Sequence, residues 1–151
     1  MRWQQLVLKS ISEGVSLARM PLPHKQGLRI LTYHSIGSST HGDHLGLNTV
    51  SVARFMQDLD IVSTMRTVPL TPLVIPQIGL SVAITFDDGY ADNLFVAAPL
   101  LVERNIPFTV FIATDFIQKR EKGFLTPTEL KQLSKVAGAR IGAHSRSHCN
   151  L

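Results

Sequence analysis

Two aspartates stand side by side at the end of an apolar run, Ala83-Ile84-Thr85-Phe86-Asp87-Asp88-Gly89-Tyr90. Adjacent carboxylates repel each other and are costly to desolvate, so a fold that sets them against buried residues needs a compensating charge. A metal cation is the most direct one. Two histidines further along, in His144-Ser145-Arg146-Ser147-His148, offer more ligands. Imidazoles four residues apart share one face of a helix, and they also converge in a turn after a strand. Two His and one Asp leave positions open for water and substrate, as catalytic zinc needs, and the same donors suit cobalt, nickel or iron. In extended backbone Asp87 and Asp88 point to opposite faces, and Gly89 permits a sharp turn directly after them. One carboxylate then holds the metal while the other faces a water, which is the division of labour of metal-assisted hydrolysis.

Each motif alone has an ordinary explanation. Paired aspartates are commonly solvated or cap a helix, and a His-x-x-x-His spacing is weak evidence for a metal. Their joint placement is what carries weight. His34 is either a further site residue or a strand terminator. Asp92 reads as a helix N-cap rather than a ligand. Arg146 either orients a carboxylate or is solvated. Cys149, the only cysteine, is a conceivable thiolate ligand but reads as a small unpaired residue, and it implies no disulfide.

The elements that position these residues follow from apolar spacing. Leu28 to His34 reads as a strand, and Gly37 to Gly46 as a loop. Ser51 caps a helix carrying Val52, Phe55, Met56, Leu59, Val62 and Met65. Val68-Pro69-Leu70 reads as a short strand, followed by a Pro-interrupted connection. Leu80 to Phe86 is a buried strand. A helix runs from Asp92 toward Arg104 with Pro99 dividing or kinking it. Ile106 to Ala113 is a strand. Thr126-Pro127-Thr128-Glu129 has a capping-box form with Pro at the first helical position. Ala139 to Ala143 is the last strand. Strand and helix alternate without a hairpin signal, which predicts an α/β fold with a parallel sheet or barrel. In such folds sites lie at the C-terminal ends of strands. His34, Asp87, Asp88 and His144 all fall there.

Composition narrows the classes further. Of 151 residues 44% are hydrophobic and 17% charged, as in a globular domain with a real core. The net charge of +4 is scattered rather than gathered into a basic groove with interleaved aromatics, so nucleic acid is not an expected partner. Leu6, Ile11 and Val15 suggest one face of an amphipathic helix within residues 1–27, and Lys9, Ser10, Ser12, Glu13 and Gly14 break up the continuous apolar run that a signal peptide has. No stretch is long and apolar enough to span a bilayer, and the expected location is cytoplasmic.

Thr85-Phe86-Asp87-Asp88-Gly89 followed by His144-Ser145-Arg146-Ser147-His148 resembles the polysaccharide deacetylases with a NodB-like homology domain. Leu31-Thr32-Tyr33-His34, Ala98-Pro99-Leu100-Leu101 and Pro107-Phe108-Thr109-Val110-Phe111 are similar to that family too. The resemblance covers most of residues 29–151. It implies Asp87 as catalytic base, and Asp88, His144 and His148 as ligands of a divalent metal, zinc first. Ser145 would steady the histidine turn. If His34 is a site residue, its expected role, from its strand-end position rather than from the resemblance, is substrate binding. The implied reaction removes N-acetyl, less often O-acetyl, groups from a polysaccharide or sugar conjugate; the Tyr-His strand looks like that of the exopolysaccharide enzymes. The implied fold is a distorted barrel of about seven βα units, a variation on the eight-unit architecture. The family's later motifs, including the histidine that acts as general acid, have no counterpart in the sequence. Residues 28–151 are therefore expected to be the N-terminal portion of such a domain, truncated on its C-terminal side, with a second chain or a missing half completing it. Two alternatives are a catalytically incomplete metal- or glycan-binding fragment, and a magnesium phosphohydrolase. The histidines argue against the latter, because Mg²⁺ prefers oxygen ligands.

Overall fold

The apolar run Leu80–Phe86 is a strand buried on both faces from Ser81 onward, the pattern of a central strand in a covered parallel sheet. The computed structural model describes residues 26–38, 43, 46–71 and 79–148. The expected N-terminal helix and Cys149 lie outside the described residues. In chain order the elements are β1 (Gly27–Tyr33), β2 (Ser35–Ile36), β3 (Thr49–Val50), α1 (Val52–Val62), β4 (Arg66–Thr67) and β5 (Leu80–Phe86). There follow a π-helical turn (Asn93–Ala97) running into α2 (Ala98–Glu103), β6 (Phe108–Ile112), α3 (Thr114–Gln118), α4 (Pro127–Leu133) and β7 (Ala139–Ala143).

The main sheet runs β1-β5-β6-β7, every pairing parallel. β1 lies along the whole of one edge of β5, from Gly27 opposite Leu80 to Tyr33 opposite Phe86. The other edge is shared: β4 pairs with Ser81 and Val82, and β6 takes over from Ile84. β2 and β3 form a separate parallel pair. This is the α/β architecture that the alternation predicts.

One face of the sheet carries the core. Val82, Ile84 and Phe86 of β5 and Phe108, Val110 and Ile112 of β6 pack with Phe55, Leu59 and Val62 of α1. Phe86 meets Phe108 and Phe55 edge-on, each at 6.0 Å, and the tilted ring of Tyr33 at 5.8 Å. Each such buried ring contributes about 1.5–3 kcal/mol through its apolar area. The core therefore anchors β1, β5, β6 and α1 directly beneath the strand ends.

Several boundaries differ from the expected ones for identifiable reasons. The strand expected at Val68-Pro69-Leu70 sits earlier, at Arg66–Thr67, because Pro69 has no N–H to give a ladder; Val68 N–H supplies the last bond, to Val82 O at 2.9 Å. α1 ends at Val62, so Met65 lies beyond it, and Met56 is on its exposed side. Pro99 divides its helix as expected: Ala98 N–H reaches five residues back to Asn93 O, and Pro99 then falls in the first turn of α2, where an N–H is not needed. Asp92 is not a side-chain cap. It has helical backbone and makes no capping bond; instead its carboxylate accepts from Ser35 Oγ at 2.6 Å. β6 starts only at Phe108, after Pro107. The Thr126–Glu129 capping box is present in both directions.

Candidate metal centre

Asp87 extends β5 by one bond, its N–H donating to Tyr33 O at 2.9 Å. The chain then turns within the aspartate pair rather than after it. Asp88 has φ 73°, and Gly89 N–H returns to Asp87 O at 3.0 Å, in the manner of a γ-turn. Left-handed backbone costs a non-glycine residue about 1–2 kcal/mol, and Asp is among those that tolerate it best. Gly89 follows with φ 86°, and a Cβ there would lie 2.7 Å from Ile112 Cδ1, so that position admits only glycine comfortably. The turn separates the two carboxylates. Asp88 is buried at 4% exposure, while Asp87 is half-buried.

The histidines come from the end of β7. His144 N–H donates to Ile112 O at 2.8 Å, continuing the β6–β7 ladder. The chain then forms a turn, not a helix: Ser145 has φ 60° and His148 φ 50°, and Ser145 Oγ accepts from His148 N–H at 3.2 Å. This folds His148 back beside His144, with ring centroids 5.2 Å apart.

Asp88, His144 and His148 meet. Asp88 Oδ1 lies 3.5 Å from His144 Nε2 and 3.2 Å from His148 Nε2. Asp88 Oδ1 is fully buried and has no hydrogen-bond partner among the described residues, an arrangement that costs about 1–3 kcal/mol if nothing satisfies it. Two ligands on a tetrahedral zinc, with bonds near 2.0–2.1 Å, stand about 3.3 Å apart. The orphaned carboxylate oxygen, the spacing and the nitrogen–oxygen donor set all fit a divalent cation, and these three residues could hold it.

Elsewhere on the rim, His34 directly follows β1 and is half-buried; its carbonyl accepts from Asn93 Nδ2 at 2.8 Å. The register sets it beside Asp87, but it is outside the three-ligand group. Arg146 orients a carboxylate, and the carboxylate is that of Asp115, 3.0 Å from Nε. Lys119 Nζ reaches the other oxygen at 3.1 Å. Hydrogen bonds from Arg146 and then Lys119 hold the Asp115 carboxyl below the ordinary carboxylate range. Sequence reasoning missed Asp115 and its neighbour Phe116. The signal that could have found them is position: they lie in the first turn after the end of the apolar strand β6.

A family model for polysaccharide deacetylases matches residues 76–151, half of the chain and all of the three-ligand group. The chain belongs to the polysaccharide deacetylase family. Its fold is similar to that of solved members. The deacetylase PplD of Streptococcus pyogenes, solved in complex with acetate, is 24% identical with a TM-score of 0.65, over 81% of this chain and 57% of that one. IcaB from Ammonifex degensii is 26% identical with a TM-score of 0.64, over 79% and 53%. A de-N-acetylase from Aggregatibacter actinomycetemcomitans is 16% identical with a TM-score of 0.61, over 78% and 54%. The chain thus spans little more than half the length of these relatives. A comparison with curated proteins gives no match. Among the described residues no helix is long and apolar enough to cross a membrane.

Proposed function

We propose that the chain carries the metal-holding part of a hydrolase that removes N-acetyl (or O-acetyl) groups from a polysaccharide or sugar conjugate, in exopolysaccharide metabolism. The observation that carries this reading is the buried Asp88 Oδ1, without a hydrogen-bond partner among the described residues, facing two imidazole nitrogens at zinc-like spacing in a chain of this family. The neighbouring de-N-acetylase and the acetate complex of PplD support the choice of bond.

Asp88, His144 and His148 hold the ion, with zinc favoured by the donor set. When bound, it polarises an acetyl carbonyl and acidifies a water. Asp87 has the task of taking the water's proton. Its backbone is pinned to β1 through Tyr33 O, and the turn at Asp88 frees its carboxylate from the ligand role. His34, at the end of the neighbouring strand, borders the substrate. The share of the solved relatives that the chain spans favours a second reading, in which it binds metal and glycan but needs further residues for turnover.

Acetate release from an acetylated chitooligosaccharide separates the two. The deacetylase reading expects zinc-dependent release by the full chain, and a loss of ~10²–10⁴-fold in Asp87→Asn, the usual contribution of a positioned base. Zinc uptake without any metal-dependent release would support the second reading and end the first for this chain.

A further inference from the structure

The turn that presents the histidines contains two non-glycine residues with left-handed backbone, Ser145 and His148, and such conformations persist only where the surroundings over-determine them. Here the surroundings are α3. Thr114 N–H points to Ser145 O at 3.5 Å, and Asp115 N–H donates to Arg146 O at 2.9 Å. Asp115 Oδ1 accepts from Arg146 Nε at 3.0 Å, so Asp115 grips Arg146 by backbone and side chain together. The Phe116 ring lies 6.1 Å from the His148 ring. Behind it Phe124 stacks at 4.3 Å and Tyr90 stacks on Phe124 at 4.5 Å, which leaves Phe116 little room to yield. Ile117 packs beneath Gly89, on the other metal-bearing turn.

We propose that α3 is a clamp that presets the ligand turn, with Asp115 and Phe116 as positioning residues for the metal. Asp115 fixes Arg146 and hence the span between the two histidines. Phe116 sets the plane of the His148 imidazole. Neither supplies a ligand atom, so both act through the geometry of those that do, as outer partners of metal ligands generally do. The inference rests on the metal-centre reading above.

Zinc affinity of the full chain, measured by competition with a chromophoric chelator, tests it. The set is the parent, Asp115→Asn, Arg146→Gln, the double variant, Phe116→Leu and His148→Ala. Arg146→Gln decides the matter if the buried substitutions fold poorly, because the Arg146 side chain is 82% exposed. Asp115→Asn and Arg146→Gln are each expected to weaken zinc about tenfold. The double variant should lose no more than either alone, since both cut the same link, and Phe116→Leu should lose severalfold. The metal-free unfolding midpoint of Arg146→Gln should stay at the parent value, whereas a merely structural role would lower the midpoint and spare the affinity. Affinities of Arg146→Gln and Phe116→Leu within twofold of the parent would overturn the clamp and leave the metal centre standing. Absence of zinc binding by the parent, or its retention by His148→Ala, would overturn the metal centre and the clamp with it.

Discussion

Asp92 is a buried carboxylate that serves the rim from outside the three-residue candidate metal site. It accepts from Ser35 Oγ at 2.6 Å and from Asn93 Nδ2 at 3.1 Å, and Asn93 in turn holds the carbonyl of His34. Burial pushes its pKa up from 3.8, and the hydrogen bonds pull the other way with less effect. A carboxyl raised in the folded state keeps its proton at pH values where the unfolded chain has lost it. Unfolding then releases a proton, so this group's contribution declines as pH rises from 3.8 to the raised value and is constant above it. Relative to Asp92→Asn, the parent should lose unfolding free energy across that mildly acidic interval, as read from urea titrations at a series of pH values. A difference that stays flat would contradict the assignment. At this scale the ligand candidates were legible because their chemistry resides in residue type and strand-end position. The Ser35–Asp92 and Asp115–Arg146 pairs were not, because each joins segments distant in sequence and leaves no local pattern. The left-handed turn at Asp88 was hidden for another reason: glycine advertises such backbone, and here it begins one residue before the glycine.

Among the elements, α4 is the one whose sequence signal and structure agree most closely. Thr126 Oγ1 accepts from Glu129 N–H at 3.3 Å and Glu129 Oε2 accepts from Thr126 N–H at 2.7 Å, so two otherwise orphaned donors at the helix start are satisfied. Thr126→Ala should cost about 1 kcal/mol of stability in chemical denaturation, the usual loss for a cap; an unchanged midpoint would mean that the box is replaced by water at no cost. Local chemistry of this kind is readable because cap and partner are three residues apart. α3 was not readable for the opposite reason. With five residues it has no turn-to-turn periodicity, and tertiary contacts rather than propensity hold it. The short pair β2–β3 escaped likewise, being two residues per strand. The parallel order of the long strands was legible, because β5 and β6 are continuous apolar runs separated by helical spacing.

At the scale of the whole molecule, the metal centre is a product of sheet assembly. Asp88 comes from the end of β5 and the histidines from the end of β7, with β6 between them and its Ile112 bonded to His144. The three candidate ligand atoms converge only when all three strands are in register, so a divalent ion held there would stabilise the folded sheet. The fold is similar to that of solved polysaccharide deacetylases over about four-fifths of this chain and little more than half of theirs. This sheet end is proposed to hold one divalent ion through Asp88, His144 and His148. Elemental analysis of the full chain after zinc loading and exhaustive dialysis tests it most directly. About one zinc per chain is expected for the parent, in line with a single three-ligand site, and next to none for His144→Ala and His148→Ala. Stoichiometric zinc retained by either variant, or none bound by the folded parent, would contradict it.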